Sequence, residues 1–351
     1  PPTSLPTRPL GSSGIQASVI ALGTWVMGGW MWGGSDDDDA IRAIHAAIDR
    51  GLNFLDTAPI YGFGHSEQIV GRALVGRREK AVIATKCGMV CNTREGRPMM
   101  RSTALGPSDT GHIEVFIFNG PESIARECED SLKRLQTDYI DLYQTHWQEQ
   151  QTPYEDTMAA MLKLKQQGKI RAIGVCNATT AEMDRYRAGG AGSAGGAGSG
   201  AGQLDSDQEK YSMIDRKLDS EQLPYCLKHN IAVLAYSPLA LGLLTGKVGP
   251  DRDFPIGDMR RAHRRFTREN RAAIAALLAK FNPIAAAHNC TTAQLVIAWT
   301  IHQPGVTHAL VGARNEAQAS ENAAAAAISL SPTDLSTMNA VIAAAIPGIV
   351  V

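Results

Sequence analysis

At 351 residues, with 34 Lys+Arg against 35 Asp+Glu and a net charge of -1, the chain can bury a large core in one or two domains. It has no basic excess to attract nucleic acid. Its longest apolar runs fall short of the roughly 20 residues that a membrane helix needs, and the N-terminal P-P-T-S-L-P-T-R-P-L has no apolar signal core. Six cysteines are scattered at 87, 91, 128, 176, 226 and 290, so reduced thiols in a cytoplasmic protein without a membrane partner are expected. Cys87 and Cys91 form C-x3-C with no second pair, and the nine histidines show no ligand spacing; no metal site is expected.

Two short alternating runs around Gly14 predict a hairpin, followed by a strand at Val19–Leu22. Asp36 to Asp39 open a helix with acids at its positive end, and A-I-R-A-I-H-A-A-I continues it with helical apolar spacing. An alternation then sets in: strand Asn53–Leu55, helix Ser66–Val75, strand Ala81–Thr85, helix Pro121–Leu135, strand Tyr139–Gln144, helix Tyr154–Gln167. It goes on through strand Ile170–Val175, helix Thr180–Arg187, strand Leu204–Gln208, helix Ser220–Lys228 and strand Ile231–Ala235. Helix Thr291–Ile301, strand Thr307–Val311 and helix Glu316–Ala327 complete it. Eight such units imply parallel strands with crossover helices. In a chain somewhat above the ~250-residue norm they fit a (β/α)8 TIM barrel, an α/β fold, with a doubly wound sheet as the alternative. The extras are the N-terminal hairpin, a long loop Gly88–Gly120, an added helix at Arg268–His288, and a C-terminal helix and tail beyond Ser331.

Residues 188–202 are only Ala, Gly and Ser. Such a run has no core to bury and reads as a flexible linker. Its G-x-G-x-x-G at Gly190, Gly192 and Gly195 has neither a preceding strand nor a following helix pattern, so it carries no nucleotide-binding meaning. Excising 189–200 leaves an ordinary helix–loop–strand junction. The chain is therefore expected to be a single barrel over 1–351 with an engineered insertion at 189–200 inside it.

Four polar residues close apolar strand patterns: Asp56 and Tyr61 in L-N-F-L-D-T-A-P-I-Y, Lys86 in A-V-I-A-T-K, and His146 in Y-I-D-L-Y-Q-T-H. Strands that end together at the C-terminal face of a barrel, the active face, bring such residues into one pocket. An ammonium beside a phenol lowers the phenol's pKa, and Lys86 is placed to do this for Tyr61. Asp56 is placed to pair with Lys86, and His146 to donate a hydrogen bond to a substrate oxygen. The set can polarise a carbonyl and deliver a proton. It has no hydride donor of its own, so a nicotinamide cofactor is implied.

L-D-T-A-P-I-Y-G, A-T-K-C-G and Q-T-H-W together resemble the aldo-keto reductase superfamily. The likeness spans nearly the whole chain, from L-G-T-W at 22–25 through E-x-S-L-K-R-L at 129–135, G-K-I-R-A-I-G-V-C-N, A-Y-S-P-L and L-L-T-G-K to S-E-N at 320–322. Among subgroups it is most similar to the bacterial inositol-locus and general-stress reductases, with potassium-channel β subunits more distant. The resemblance implies Tyr61 as general acid, Asp56 and Lys86 as its tuning pair, and His146 as the group that orients the carbonyl. It places Cys176, Asn177 and Gln208 at the nicotinamide amide, Cys176 standing where the family has serine, and Tyr236 against the nicotinamide ring. It assigns Ser237, Pro238, Leu239 and Lys247 to a cover over the pyrophosphate, and Gly23, Thr24 and Trp25 to the cofactor site beside Asp56. Gly312, Arg314, Gln318, Glu321 and Asn322 fall at the adenosine end, where Arg314 implies NADPH. The neutral Asn315 beside it leaves NADH open as a second donor.

Trp25, Met27, Trp30 and Trp32 lie on the loop after the first strand, and Trp147 follows His146. Aromatic residues there are expected to wall a substrate pocket whose rim is the Gly88–Gly120 and Gly249–Phe266 loops. Arg260, Arg261, Arg264 and Arg265 on the second of these are candidates for a phosphate. The expected activity is NADPH-dependent reduction of an aldehyde or ketone, with a sugar, polyol or ring ketone among the substrates considered. A cofactor-binding regulatory module of channel-β type is the alternative. Apart from the cofactor, the expected partner is a small carbonyl or alcohol.

Overall fold

The computed structural model describes residues 5–91, 93–102, 113–192 and 204–351. Most of the Ala/Gly/Ser run, at 193–202, lies outside them together with Gln203, as do parts of the long loop after Gly88.

The chain opens with β1 (Thr7–Pro9) and β2 (Gln16–Ser18), the antiparallel hairpin. There follow β3 (Ile20–Gly23), α1 (Asp37–Asp49), β4 (Phe54–Asp56), α2 (His65–Ala73) and β5 (Val82–Cys87). A small sheet comes next, β6 (Met89–Val90), β7 (Arg97–Ser102) and β8 (Ile113–Ile117), before α3 (Pro121–Leu135), β9 (Ile140–Thr145), α4 (Tyr154–Gln166), β10 (Ile170–Cys176) and α5 (Thr180–Gly192). The rest is β11 (Ser206–Lys210), α6 (Gln222–Lys228), β12 (Ala232–Tyr236), α7 (Arg268–Ala279), α8 (Asn282–Ala287), α9 (Thr292–Ile301), β13 (Val306–Gly312), α10 (Glu316–Ala324) and α11 (Pro332–Ala345). Strands β3, β4, β5, β9, β10, β11, β12 and β13 pair in parallel and close on themselves as an eight-stranded barrel. The fold is the (β/α)8 barrel expected.

Alternate residues of each strand point inward. Ala21, Phe54, Val82, Ala84, Leu142, Ala172, Ala232, Leu234 and Leu310 form one cluster inside the barrel, and Leu10 and Ala17 of the hairpin join it. The hairpin therefore plugs the N-terminal end. Gly11, at φ 54°, brings it so close that a Cβ would stand 2.2 Å from the Asp205 carbonyl oxygen. The outward residues meet the helices in a second, larger layer. Each buried Val, Leu or Ile there contributes about 1.5–3 kcal/mol.

Helix starts follow the sequence signals. Asp36 caps α1 by accepting from the Asp39 N–H at 2.8 Å, and Thr291 with Gln294 makes a capping box on α9. Three elements differ from expectation. The Gly88–Gly120 loop carries the sheet β6–β8–β7. The added helix over 268–288 is two helices, α7 and α8, with Pro283 in the first turn of the second. Helix α5 runs on past Arg187 into the small-residue run as far as Gly192. Gly189 is where it lies against α4: a Cβ there would meet the Glu155 Cα at 2.7 Å.

Candidate active site

Asp56 ends β4, and Tyr61 sits in the turn that follows, its N–H bonded to the Ala58 carbonyl at 3.1 Å. The loop after β3 presses on this turn. A Cβ on Gly62 (φ 63°) would fall 2.3 Å from the Gly28 oxygen, and one on Gly28 would fall 2.7 Å from the Tyr61 carbonyl carbon. Only glycine at both places lets the two loops touch and aims the phenol inward.

Lys86, on β5, is fully buried. Its Nζ donates to both Asp56 oxygens at 2.9 Å, to the Thr57 carbonyl at 2.9 Å and to the Tyr61 hydroxyl at 3.3 Å. Burial opposes the ammonium, but the Asp56 carboxylate, with Tyr61 and Cys176 adding, more than offsets this and holds Lys86 above its usual range. Burial pushes the Tyr61 phenol up to about 12, although Lys86 pulls the other way. The expected lowering by Lys86 is therefore present but is outweighed, because the phenolate loses more hydration than one ammonium at 3.3 Å returns. Tyr61 is a neutral donor at physiological pH.

His146 follows β9, with its ring edge-to-face on Tyr61 at 5.9 Å. Burial, then Lys86, holds its pKa well below the usual range, so the ring is neutral. Asn177 follows β10 in a left-handed conformation (φ 54°). Its side-chain nitrogen donates to the His146 carbonyl at 3.0 Å, and its oxygen accepts from the Tyr236 hydroxyl at 2.8 Å. Gln208 donates to Asp56 at 2.8 Å. An amide nitrogen carries two hydrogens, so Asn177 and Gln208 each keep donor capacity toward the cavity they line.

That cavity holds about 730 Å³ and crosses the C-terminal mouth of the barrel. Gly23, Trp25, Asp56, Tyr61, His146, Asn177, Gln208, Tyr236, Ser237, Pro238 and Leu239 line its middle, and Lys247, Gly312, Arg314, Gln318, Glu321 and Asn322 its far end. Trp30 and Trp147 line the opposite end. Lys86, Thr24 and Cys176 stand behind the wall. The Thr24 hydroxyl bonds Asp56 O at 2.9 Å and Ser66 at 2.7 Å instead, and Cys176 is fully buried, its thiol pushed up by burial. Trp32, expected on the substrate side, lines the cavity with its ring edge-on to Trp25 at 5.2 Å and also reaches the cationic residues at the far end. Its ring lies 5.3 Å from the Arg260 guanidinium and 5.6 Å from that of Arg314, whose Nη2 donates to the Trp32 carbonyl at 3.0 Å. Met27 is buried behind the same loop.

The loop after β12 crosses this end. Trp32 bridges Asp258, the Met259 N–H bonds the Met31 carbonyl at 3.0 Å, and Asp258 accepts from the Arg260 side chain at 2.6 and 2.9 Å. Arg265 instead pairs with Asp215, and Arg264 reaches the Val351 carbonyl at 2.9 Å. The Gly88–Gly120 and Gly249–Phe266 loops both line the cavity, as expected of its rim, through Met89, Met99 and Met100 and through Arg252 and Asp258, none of which sequence reasoning singled out, and it missed Ile60. The adjacent methionines in R-P-M-M-R-S were the one available signal.

Chemically, the far end fits a phosphate-bearing nucleotide. Lys247, Arg252, Arg260 and Arg314 face Asp258 and Glu321 there, an excess of positive charge at the end farthest from Tyr61. Two amide side chains stand beside the phenol. Among the described residues no group of His, Cys, Asp and Glu could hold a metal, and no helix is long and apolar enough to cross a membrane.

Residues 19–343 match the model of the aldo/keto reductase family. The chain is 39% identical to the NADH-specific methylglyoxal reductase of Escherichia coli, over 94% of this chain and 96% of that one. In structure it is similar to the glycerol dehydrogenase AKR11B4 from Gluconobacter oxydans, with a TM-score of 0.82, 36% identity, and 98% and 97% of the two chains covered. An aldo-keto reductase from Klebsiella pneumoniae in complex with NADPH matches with a TM-score of 0.68 and 28% identity over 96% of each chain. Barrel, site and sequence agree: this chain belongs to the aldo/keto reductase family.

Proposed function

We propose that this protein reduces an aldehyde or ketone to the alcohol with NADPH, and that Tyr61 is the proton donor. The observation that carries the reading is the buried Asp56–Lys86–Tyr61 chain opening onto the cavity beside a neutral His146. When bound, the reduced nicotinamide supplies a hydride to the carbonyl carbon. Tyr61 gives its proton to the carbonyl oxygen, and solvent restores it. Lys86 stabilises the phenolate that this leaves, and Asp56 keeps Lys86 charged and in place. The neutral imidazole of His146 donates to the same oxygen and fixes which lone pair meets the phenol.

Asn177 and Gln208 would hold the nicotinamide amide, Tyr236 its ring, and Arg314 with Lys247 the phosphates. Support for NADPH comes from Arg314 and its cationic neighbours, and from the NADPH complex of the Klebsiella relative. The NADH-specific relative keeps NADH open as a second donor. The run at 189–200 we take as an insertion within one barrel, which a chain lacking it tests by folding and turning over.

Tyr61→Phe is expected to abolish nearly all turnover while nucleotide affinity stays within about threefold, a change below 1 kcal/mol. A variant at full rate would refute the acid assignment.

A further inference from the structure

Residues 146–148 leave β9 and enter no helix or strand, so their backbone groups need partners from elsewhere. The His146 N–H donates to the Cys87 carbonyl at 2.9 Å. The carbonyls of His146, Trp147 and Gln148 accept from Asn177 Nδ2 at 3.0 Å, Asn119 Nδ2 at 3.0 Å and Arg97 Nη2 at 3.5 Å.

Gln148 returns the bond that His146 receives. Its Nε2 donates to the Cys176 carbonyl at 2.9 Å and to the Thr145 hydroxyl at 3.1 Å, and its Oε1 accepts from the Tyr186 hydroxyl at 2.7 Å. Thr145, Gln148, Cys176 and Tyr186 are all buried, so each depends on the others for its partners. Both amide hydrogens are used. A carbonyl oxygen only accepts, so Cys176 decides which end of the amide faces it, and Tyr186 meets the other end.

The β9–β10 ladder ends at Thr145 and Val175. Past that point two side chains continue the pairing: Asn177 crosses to His146, and Gln148 crosses back to Cys176. The Cys176 oxygen lies in the same planar peptide as the Asn177 nitrogen, and that nitrogen donates to the Gln208 carbonyl at 3.1 Å. Gln148 and Gln208 thus hold the two sides of one peptide. From it Asn177 projects in its left-handed conformation, φ 54°.

We propose that Gln148, steadied by Tyr186, is a positioning residue that fixes Asn177 and His146 relative to each other and so sets where the nicotinamide stands against the carbonyl. This rests on the reductase reading above, in which Asn177 holds the nicotinamide amide and His146 orients the carbonyl oxygen. Gln148 does not line the cavity, so it acts through those two residues. The hydride and proton steps are unchanged. Tyr186 belongs to α5, the helix that enters the small-residue run, so a shift of that helix is carried to the site through the Tyr186 hydroxyl.

The test is a double-mutant cycle between Gln148→Met and Asn177→Ala in the full chain. Methionine keeps the length and removes both hydrogen-bonding ends. Gln148→Met alone is expected to weaken NADPH binding about fivefold, read by quenching of tryptophan fluorescence, and to lower kcat about tenfold, the scale of one lost buried hydrogen bond. Added to Asn177→Ala, it is expected to weaken NADPH binding less than about twofold further. A full loss repeated in that background overturns the proposal. So does a folded Gln148→Met chain that melts earlier but binds and turns over like the parent, since the amide then serves packing alone. Tyr186→Phe, which loses only the hydroxyl, carries the same cycle if Gln148→Met does not fold; about a threefold loss of affinity, absent beside Asn177→Ala, is expected, and no loss overturns the proposal. If Asn177→Ala alone leaves NADPH affinity unchanged, the placement of the cofactor fails instead, and a parent chain that oxidises NADPH with no carbonyl overturns the reductase reading.

Discussion

Lys86 places its ammonium nitrogen 3.3 Å from the Tyr61 hydroxyl, at a point where it also touches both oxygens of Asp56. No water-exposed surface remains on Lys86, so its charge is available to the phenol without competition from solvent. Lys86→Met keeps the volume and removes the charge. The one strong influence that lowers the Tyr61 pKa is then gone, and the phenolate formed in the reaction has no counter-ion. Turnover is expected to fall about a hundred- to ten-thousandfold, measured as kcat for NADPH oxidation with a fast aldehyde. Asp56, left buried without its partner, also makes this variant less stable than the parent. Nucleotide affinity measured on the folded variant separates the two effects.

A half-buried carboxyl sets a pH dependence of stability. Glu127 on α3 accepts from the Gly88 N–H at 2.9 Å and from the Ser123 hydroxyl at 3.0 Å, and so fixes the turn between β5 and β6. Burial raises its pKa from 4.5 to about 7, against those hydrogen bonds and the nearby Arg126 and Arg134. A raised pKa means that the folded state favours the protonated form. Its contribution is complete below about 4.5 and is lost as pH rises through about 7. Glu127→Gln cannot ionise. The variant should match the parent near pH 4 and exceed it at pH 8, by on the order of 3 kcal/mol at most. Thermal melting across that range reads the difference, and parallel curves would show that the carboxyl stays neutral throughout.

The barrel was legible because strands covered on both faces read as short, mostly apolar runs at regular intervals, even though polar residues such as Asp141, Gln144 and Thr85 are buried within them. Ile140–Thr145 and Val82–Cys87 are buried at every position. The four polar residues were legible for the same reason, since each interrupts such a run at its C-terminal end. The small sheet was hidden. Its bulge at Met99 destroys the alternation that marks a strand. The Tyr61 pKa was misjudged from sequence because proximity to Lys86 can be guessed from strand ends, whereas loss of hydration depends on the finished packing. The contacts of Trp32 with the cationic residues were also hidden. Its neighbours Arg260 and Arg314 lie more than two hundred residues away in sequence, and no local pattern announces them.

Arg314 is the test of nucleotide preference. Its side chain spans from the Trp32 carbonyl into the far end of the cavity, and Asn315 is committed to capping α10 by accepting from the Gln318 N–H. No second basic side chain stands beside it in sequence. Arg314→Ala is expected to raise KM for NADPH at least about tenfold, the worth of one charge-assisted contact to a phosphate, and to leave KM for NADH within about twofold. Steady-state kinetics with both nucleotides decide it. Equal effects would place Arg314 outside the site that distinguishes them.

Asp258 ties down the strap across the same end. Its carboxylate accepts from the Arg260 backbone at 3.0 Å and from the Arg260 guanidinium at 2.6 Å, while its backbone bridges Trp32. Arg260 in turn lies over Trp32 and Phe254. The β3 loop and the β12 loop are thus joined by the Trp32–Asp258 bridge, by the Met259–Met31 backbone hydrogen bond and by Arg260 lying over the Trp32 ring, with Asp258 holding Arg260 in place. A nucleotide seated below is expected to part them as it leaves. Asp258→Ala removes the anion that holds Arg260 and leaves Asp56, Tyr61, Lys86 and His146 untouched. NADPH release, followed by stopped-flow fluorescence, is expected to quicken tenfold or more, since a lost hydrogen bond to a charged group costs about 1.5–3 kcal/mol. If release limits the cycle, kcat rises with it; if chemistry limits, kcat stays and only KM for the nucleotide increases. An unchanged release rate would show that the strap does not lie on the exit path and that the Trp32–Asp258 bridge serves only to pack the two loops.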